Sequence, residues 1–346
     1  MKIRIIAFSR RGCELAQDVR GILTDNECAI FSKTSADATG TERVNGPLSS
    51  WTEESFRLSD AIVFIGAAGI AVRHIAPFLK DKTEDPAVIS MDEGGRYVIS
   101  LLSGHIGGAN DLAKKIADGI GATPVITTAT DIHGKFSVDS YAVKNGLHIG
   151  NMSMAHDISS LIVDDRKVGL VSDVPLPEGI PPELDLNGNE DVGIFISYGR
   201  SGGPFKRTLK LTPRCHILGI GCRKGIPIER IEELVGEVLD KENISVESVK
   251  CVASIDLKKD EKGLLDFADK IHAESVFFSS ERLASLPDKG FTASEMVEAV
   301  TGVDNVCERA AFAASKDGVI TVKKTSKNGV TLAIVREPIH LGPMRE

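Results

Sequence analysis

The chain has 346 residues, 42% of them hydrophobic and 26% charged, with a formal net charge of −8. A domain takes about 150 residues, so this length predicts more than one core. The negative balance argues against nucleic acid as a partner, and aromatic residues at only 5% argue against a stacking platform for single strands.

The sequence opens at Lys2 on a strand-like stretch with neither a basic leader nor a long apolar segment. No apolar run reaches the roughly 18 to 20 residues of a membrane helix, so the expectation is a cytoplasmic protein with no membrane partner. The cysteines Cys13, Cys28, Cys215, Cys222, Cys251 and Cys307 form no C-x-x-C pair, which fits reduced thiols and indicates no metal site.

Short apolar runs alternate with longer amphipathic stretches, the pattern of βα units around mainly parallel sheets. Ile3 to Phe8 predicts a strand, Cys13, Leu15, Ala16, Val19 and Leu23 one face of a helix, and Cys28 to Phe31 a second strand, with residues 33–50 as loop. Ala61 to Ile65 predicts a strand that runs into Gly66-Ala67-Ala68-Gly69. Ala71, Ile75 and Leu79 mark the following helix, which Pro77 should end or kink. Strands Ala87 to Met91 and Tyr97 to Leu102 flank Asp92-Glu93-Gly94-Gly95, a hairpin turn. A glycine-rich turn follows, then a helix with a stripe of Leu112, Ala113, Ile116, Ala117 and Ile120, a stop at Gly121 and a strand from Pro124 to Thr127.

After Ile132 the pattern changes to helices around Ser137 to Leu147 and Met154 to Val163, short strands near Val168 and Val192, and a Pro-rich connection from Val174 to Leu186. From Cys215 a fresh α/β series begins: strand Ile217 to Ile220, helix Ile228 to Leu239, strand Val246 to Ala253, helix Leu264 to Ile271, strand Val276 to Phe278, and helices near Ser294 and Cys307. The expected fold is therefore α/β and multi-domain: an N-terminal α/β domain over 1–132, a smaller middle or linker domain over 133–213, and a C-terminal α/β domain over 214–346.

The stretch Leu101 to Asn110 is the most informative for chemistry. Gly104, Gly107 and Gly108 lie between a strand end and a helix start, where glycine permits positive φ and close approach, and where the first helical turn offers amides to an anion. Ser103, His105 and Asn110 add hydrogen-bonding groups, and histidine is the side-chain type among them that can change charge near neutral pH. These glycines would also serve simply to pack a helix on the sheet, with His105 structural. The local density of polar groups at a strand's carboxyl end favours a site.

Gly66 to Gly69, with Arg73 and His74, is a second candidate that is equally compatible with a plain βα connection. Thr127-Thr128-Ala129-Thr130-Asp131 places hydroxyls and a carboxylate where they would face a ligand or cap the next helix. Gly219-Ile220-Gly221-Cys222-Arg223-Lys224-Gly225 again ends a strand with glycines, beside two cations, and Cys222 reads as structural because no histidine neighbours it. Lys258, Glu261, Ser279, Ser280 and Glu281 fall near strand ends. Glu308 fits the usual preference of a helix N-terminus for an acid.

Taken together, Asp81-Lys82-Thr83-Glu84-Asp85-Pro86-Ala87-Val88, Leu101 to Asn110 and Pro124 to Asp131 resemble the CbiG family of cobalamin biosynthesis, the cobalt-precorrin-5A hydrolases. Leu218 to Arg223, Asp256 to Lys258, Phe277 to Leu283 and the Glu308 segment resemble that family's C-terminal domain. The likeness covers nearly the whole chain, and the middle is its least distinctive part. It implies opening of the δ-lactone of cobalt-precorrin-5A and expulsion of acetaldehyde to give cobalt-precorrin-5B, in the anaerobic route to the corrin ring. The cobalt comes with the substrate, so no further cofactor is implied. The partner is the carboxylate-rich tetrapyrrole, with neighbouring pathway enzymes and a second copy of the chain as further candidates.

On this reading the residues singled out in the Gly66, Ser103, Thr127, Gly219, Lys258 and Ser279 segments bind substrate. Arg73, Arg223 and Lys224 would make a locally basic cleft on an acidic surface. His105 is the expected general base for water, the Gly107 and Gly108 amides the oxyanion donors, and Glu308 the reserve base. A non-catalytic corrinoid carrier is the competing reading, because the C-terminal segment also resembles the protein CobE. A nucleotide-binding enzyme lacks support, since neither the P-loop lysine pattern nor the dinucleotide fingerprint is present.

Overall fold

The computed structural model of the chain describes all residues but 36, 37, 82, 83, 288 and 346, so Lys82 and Thr83 of the 81–88 stretch lie outside the described residues. The chain divides into two units, Met1–Ser140 and Tyr141–Glu346. Among the described residues the strands form three mixed, mainly parallel sheets, the α/β class that the alternation of runs predicts.

In the first unit the strands are β1 (Lys2–Ala7), β2 (Glu27–Ser32), β3 (Glu42–Arg43), β4 (Ala61–Ile65), β5 (Ala87–Met91), β6 (Tyr97–Leu102) and β7 (Thr123–Val125), in the order β3-β2-β1-β4-β5-β6-β7. Side chains alternate between the two faces, as a strand's twofold period requires. Ile3, Ile5, Val63 and Ile89 pack with helices Arg10–Ile22 and Ala109–Ile120, while Ile6, Ile62, Phe64 and Val88 pack with Trp51, Ala71 and Ile75 on the other side. Helices thus cover both faces, which is why β4 is apolar at every position.

The strands do not all run one way. β5 and β6 are the expected antiparallel hairpin, and β7 is parallel to β6, so β6 and β7 run against β1, β2, β4 and β5. Helix Ala68–Ile75 gives way to a 3₁₀ turn at Ala76–Phe78, where Pro77 falls, and helix Ala109–Ile120 stops at Gly121 with φ 70°. A helix at Leu48–Leu58 replaces the end of the expected loop. Its buried face carries Thr52 and Ser55 beside Trp51, and both hydroxyls donate to carbonyls of the preceding turn, so the buried stripe does not read as apolar in sequence.

The second unit holds two sheets. Strands β8 (Leu147–Ile149), β9 (Val168–Ser172), β10 (Leu184–Asp185), β11 (Val192–Ile196) and β12 (Arg207–Pro213) pair as β10-β9-β11-β12-β8, with β8 antiparallel to β12. The region expected as a middle or linker domain carries a sheet of its own. A Cβ at Gly169 or Gly193 would stand 2.3 Å from ring carbons of Phe205, so both glycines exist to seat that ring on the sheet.

Strands β13 (His216–Cys222), β14 (Val249–Ile255), β15 (Glu274–Phe278), β16 (Val319–Lys327) and β17 (Val330–Arg336) pair as β15-β14-β13-β17-β16. β13, β14 and β15 are parallel, and the hairpin of β16 and β17 joins antiparallel to β13. Its turn is Asn328-Gly329, both at positive φ, the two-residue connection that suits strand twist. No helix among the described residues is long and apolar enough to cross a membrane.

Candidate active site

β6 ends at Leu102 and the chain reverses through a turn whose amides are largely consumed by the turn itself. The Ala109 amide donates to the Ser103 carbonyl at 3.1 Å, that of Asn110 to Gly104 at 3.0 Å, and that of Gly108 to His105 at 3.0 Å. The expectation of two bare glycine amides is thereby corrected: Gly108 has given its donor to His105, and of the pair only Gly107 stays a candidate. The glycines answer to geometry. Gly108 sits at φ 78°, and a Cβ on Gly107 would come within 2.5 Å of the Ser103 Cβ and 2.9 Å of its carbonyl. Ser103, itself at φ 55°, is buried and donates its hydroxyl to the Asp85 carbonyl at 2.9 Å, tying the turn to the start of β5.

The His105 side chain is 18% exposed and both ring nitrogens have partners. Nδ1 lies 2.6 Å from the Ser140 Oγ and 3.4 Å from the Ser137 Oγ, and Nε2 lies 3.1 Å from the Thr130 Oγ1 and 3.6 Å from the Asp131 Oδ2. Asp131 is held from behind. The Asn110 Nδ2 donates to its Oδ2 at 3.0 Å, and the Lys114 Nζ stands 3.3 Å from its Oδ1. The same Asn110 nitrogen donates to the Thr128 Oγ1 at 3.1 Å. A carboxylate beyond Nε2 favours the tautomer protonated there, which leaves the Nδ1 lone pair aimed at the serine hydroxyls. A partly exposed imidazole set between hydroxyls and a held carboxylate can move protons for acyl chemistry.

The fold thus brings together His105, Asn110, Thr128 and Asp131, because β6 and β7 are parallel neighbours and their carboxyl ends share one edge. Thr127 is exposed on the same connection. Thr130 comes with the expected Thr127–Asp131 segment, whereas Lys114, Ser137 and Ser140 were not anticipated. Ser137 and Ser140, three residues apart at a helix start, were the available signal, since that spacing puts two hydroxyls on one side.

Gly66 and Gly69 do not join this site. They follow β4, which runs opposite to β6, and so lie at the other edge of the sheet, roughly 17 Å away along a strand of this length. A Cβ on Gly66 would stand 2.8 Å from the Phe8 ring, so this glycine serves packing. Arg73 is exposed on the helix that follows.

In the second unit the Gly219 segment is a packing device. A Cβ on Gly219 would stand 1.8 Å from the Cys307 carbonyl oxygen, because helix Val306–Ala314 lies directly on β13, and one on Gly221 would stand 2.6 Å from the Thr331 Oγ1. Burial pushes the Cys222 thiol up to about 11, against the pull of Lys258, so it stays protonated near neutral pH. Arg223 is exposed and packs along Gly329. Lys258 pairs with Glu261 at 3.5 Å, and Ser279 caps helix Ser280–Ala284. Hydrogen bonds from its own backbone amide and from Ser279 hold the Glu281 carboxyl below its usual range. Cys222, Lys258 and Ser279 all follow carboxyl ends of parallel neighbours and so share one edge.

Glu308 is corrected as a reserve base. It is fully buried, and its carboxylate accepts the Thr292 amide at 2.7 Å, the Thr292 hydroxyl at 2.9 Å and the Lys324 amide at 2.7 Å. A base must be reached by substrate, whereas this carboxylate pins segments 292 and 324 to helix Val306–Ala314. Among the described residues no group of three or more His, Cys, Asp or Glu is placed to hold a metal ion.

Family models match three successive stretches: Cobalamin synthesis G N-terminal over residues 50–131, Cobalamin biosynthesis central region over 136–213, and Cobalamin synthesis G C-terminus over 216–335. The chain is 32% identical over 302 residues to the cobalt-precorrin-5A hydrolase of Salmonella typhimurium, covering 84% of this chain and 86% of that one. It is 28% identical over 355 residues to the cobalt-precorrin-5A hydrolase of Priestia megaterium, covering 96% of this chain and 94% of that one.

Proposed function

Because the chain belongs to the CbiG family of cobalamin biosynthesis, we infer that it is an enzyme, a cobalt-precorrin-5A hydrolase, and that its reaction is run around His105. The observation that carries the assignment of the site is the partly exposed His105 ring, with hydroxyls on Nδ1 and, beyond Nε2, a carboxylate held by Asn110 and Lys114.

The reaction opens the δ-lactone and expels acetaldehyde to give cobalt-precorrin-5B. Lactone opening needs an oxygen nucleophile stripped of its proton at the acyl carbon, and His105 takes that proton on Nδ1. Asp131 then opposes the charge on the ring, and the Gly107 amide is the donor we assign to the developing oxyanion. When acetaldehyde leaves, the electrons of the broken carbon–carbon bond pass to the macrocycle, whose cobalt arrives with it. Within this proposal the domains are 1–132, 133–213 and 214–346. The last is the CobE-like part. The setting is the cytoplasm, and a homodimer or contact with neighbouring pathway enzymes completes the proposal.

Anaerobic incubation with cobalt-precorrin-5A, trapping acetaldehyde and recording product mass, tests it. His105→Asn is expected to lower release by about 10²- to 10⁴-fold with an unchanged melting temperature. Full release by that variant would remove His105 from the reaction, and binding without turnover by the unaltered chain would leave the carrier reading.

A further inference from the structure

We propose that Ser140 is the nucleophile of this site and carries the opened lactone as an ester before water releases it, an inference that rests on the reading of His105 as the base. The shortest contact of the His105 ring is to a hydroxyl of the chain itself: the Ser140 Oγ at 2.6 Å from Nδ1. The neighbouring hydroxyl is otherwise engaged. Ser137 gives its proton to the Asp139 Oδ1 at 2.6 Å and lies 3.4 Å from the ring, while the Ser140 amide donates to the same carboxylate oxygen at 3.0 Å. Asp139 therefore fixes the Ser140 backbone and occupies Ser137, leaving the Ser140 proton for Nδ1.

On the far side Nε2 faces the Thr130 Oγ1 at 3.1 Å and the Asp131 Oδ2 at 3.6 Å. The order is hydroxyl, imidazole, orienting groups, which is the arrangement that activates an alcohol. It also bears on water. With Nε2 facing Thr130 and Asp131 and Nδ1 facing Ser140, both ring nitrogens are taken by the chain. A water gains the Nδ1 lone pair only once the Ser140 oxygen has gone to the acyl carbon.

The step balances without a co-reactant. The Ser140 proton passes to Nδ1, the Oγ–acyl bond forms, and the acyl–ring-oxygen bond breaks with its electron pair on the ring oxygen, which takes the proton from the imidazolium. The leaving hydroxyl stays tethered to the macrocycle, so nothing is lost at this stage. Water, deprotonated by the same Nδ1, then attacks the ester carbon, Ser140 leaves and regains its proton, and the product carries the new carboxylate.

The test is a single-turnover anaerobic reaction with cobalt-precorrin-5A, quenched in acid and read by intact-protein and peptide mass. The expected result is a species of enzyme plus one substrate, less acetaldehyde where the second step has run, on the peptide containing Ser140. Ser140→Ala should lack it and release acetaldehyde at least about a thousandfold more slowly. Should Ser140→Ala melt early, Ser140→Cys keeps a nucleophile and should trap a longer-lived thioester at position 140. Absence of an adduct in both the unaltered chain and Ser140→Cys overturns the proposal. So does release by Ser140→Ala within about tenfold while His105→Asn is inactive, which leaves His105 acting on water directly. Full release by His105→Asn instead brings down the reading of His105, and this proposal with it.

Discussion

At the end of β6 the glycines of a tight turn leave a histidine partly exposed among hydroxyls and a carboxylate, whereas toward the end of β13 Gly219 and Gly221 lie under a helix that carries a fully buried Glu308. In both places the missing Cβ makes room for the chain itself, for the Ser103 backbone in one and the Cys307 carbonyl in the other. Glycine at a strand end therefore reports close approach, not a ligand. What separates the two regions is the state of their polar side chains: the imidazole keeps access and partners suited to proton transfer, while the glutamate is saturated by its own backbone.

The severest way to break this comparison is Gly219→Ala. Its Cβ would meet a backbone oxygen at 1.8 Å, which no rotamer relieves, so a loss of at least about 4 kcal/mol or failure to fold is expected in thermal unfolding. An unchanged melting temperature would mean that the helix has room over β13. Glu308→Gln comes next. An amide turns an N–H toward one of three donors, so the expected cost is about 3 to 4 kcal/mol, with kcat intact at a temperature where the variant is folded. The reverse outcome, normal melting and lost turnover, would return Glu308 to the chemistry.

The same unit predicts a pH effect on stability. His216 is 1% exposed, with its Nδ1 2.9 Å from the Ser248 Oγ, and burial, helped by Arg336, holds it down to about 4. The unfolded chain binds this proton near pH 6.5 and the folded chain only near 4, so stability is full above about 6.5 and falls as pH drops toward 4. The fall from 6.5 to about 4 corresponds to about 3 kcal/mol. His216→Phe should flatten urea-unfolding curves over that window, and an unchanged slope would show that the ring is solvated.

Much of this was open to reading in the sequence and some was not, for physical reasons. Strands such as Ala61–Ile65 and the helix between Gly108 and Gly121 announce themselves through apolar periodicity and stops. Strand β16 does not, because it is mostly exposed and rich in lysine, and the Asn328-Gly329 turn that closes its hairpin went unread. His105, Asn110 and Asp131 were visible as polar residues near strand ends. Their union depended on β7 running parallel to β6, and the exclusion of Gly66 and Gly69 on β6 reversing against β4, neither of which local sequence states. Ser140 stayed hidden because a serine inside a helix is ordinary until the fold sets a ring nitrogen beside it.

The finest test concerns what orients that ring. Asp131→Asn preserves the shape and keeps an oxygen for Asn110, but removes the charge facing Nε2 and the partner of Lys114. The pair with Lys114 is partly exposed, 42% on the lysine side and 21% on the aspartate side, so melting should shift by less than about 1 kcal/mol. Turnover should respond more. The imidazolium formed as a proton arrives at Nδ1 loses its counter-charge, and a fall of about tenfold to a hundredfold in kcat is expected, with KM little changed. The effect should stay below that of His105→Asn, because the carboxylate stands 3.6 Å from the ring while Thr130 stands 3.1 Å and still fixes its direction. Thr130→Ala separates the two contributions. A loss larger than that of Asp131→Asn would make the hydroxyl the group that holds the ring, and a loss in neither would mean that packing alone sets it.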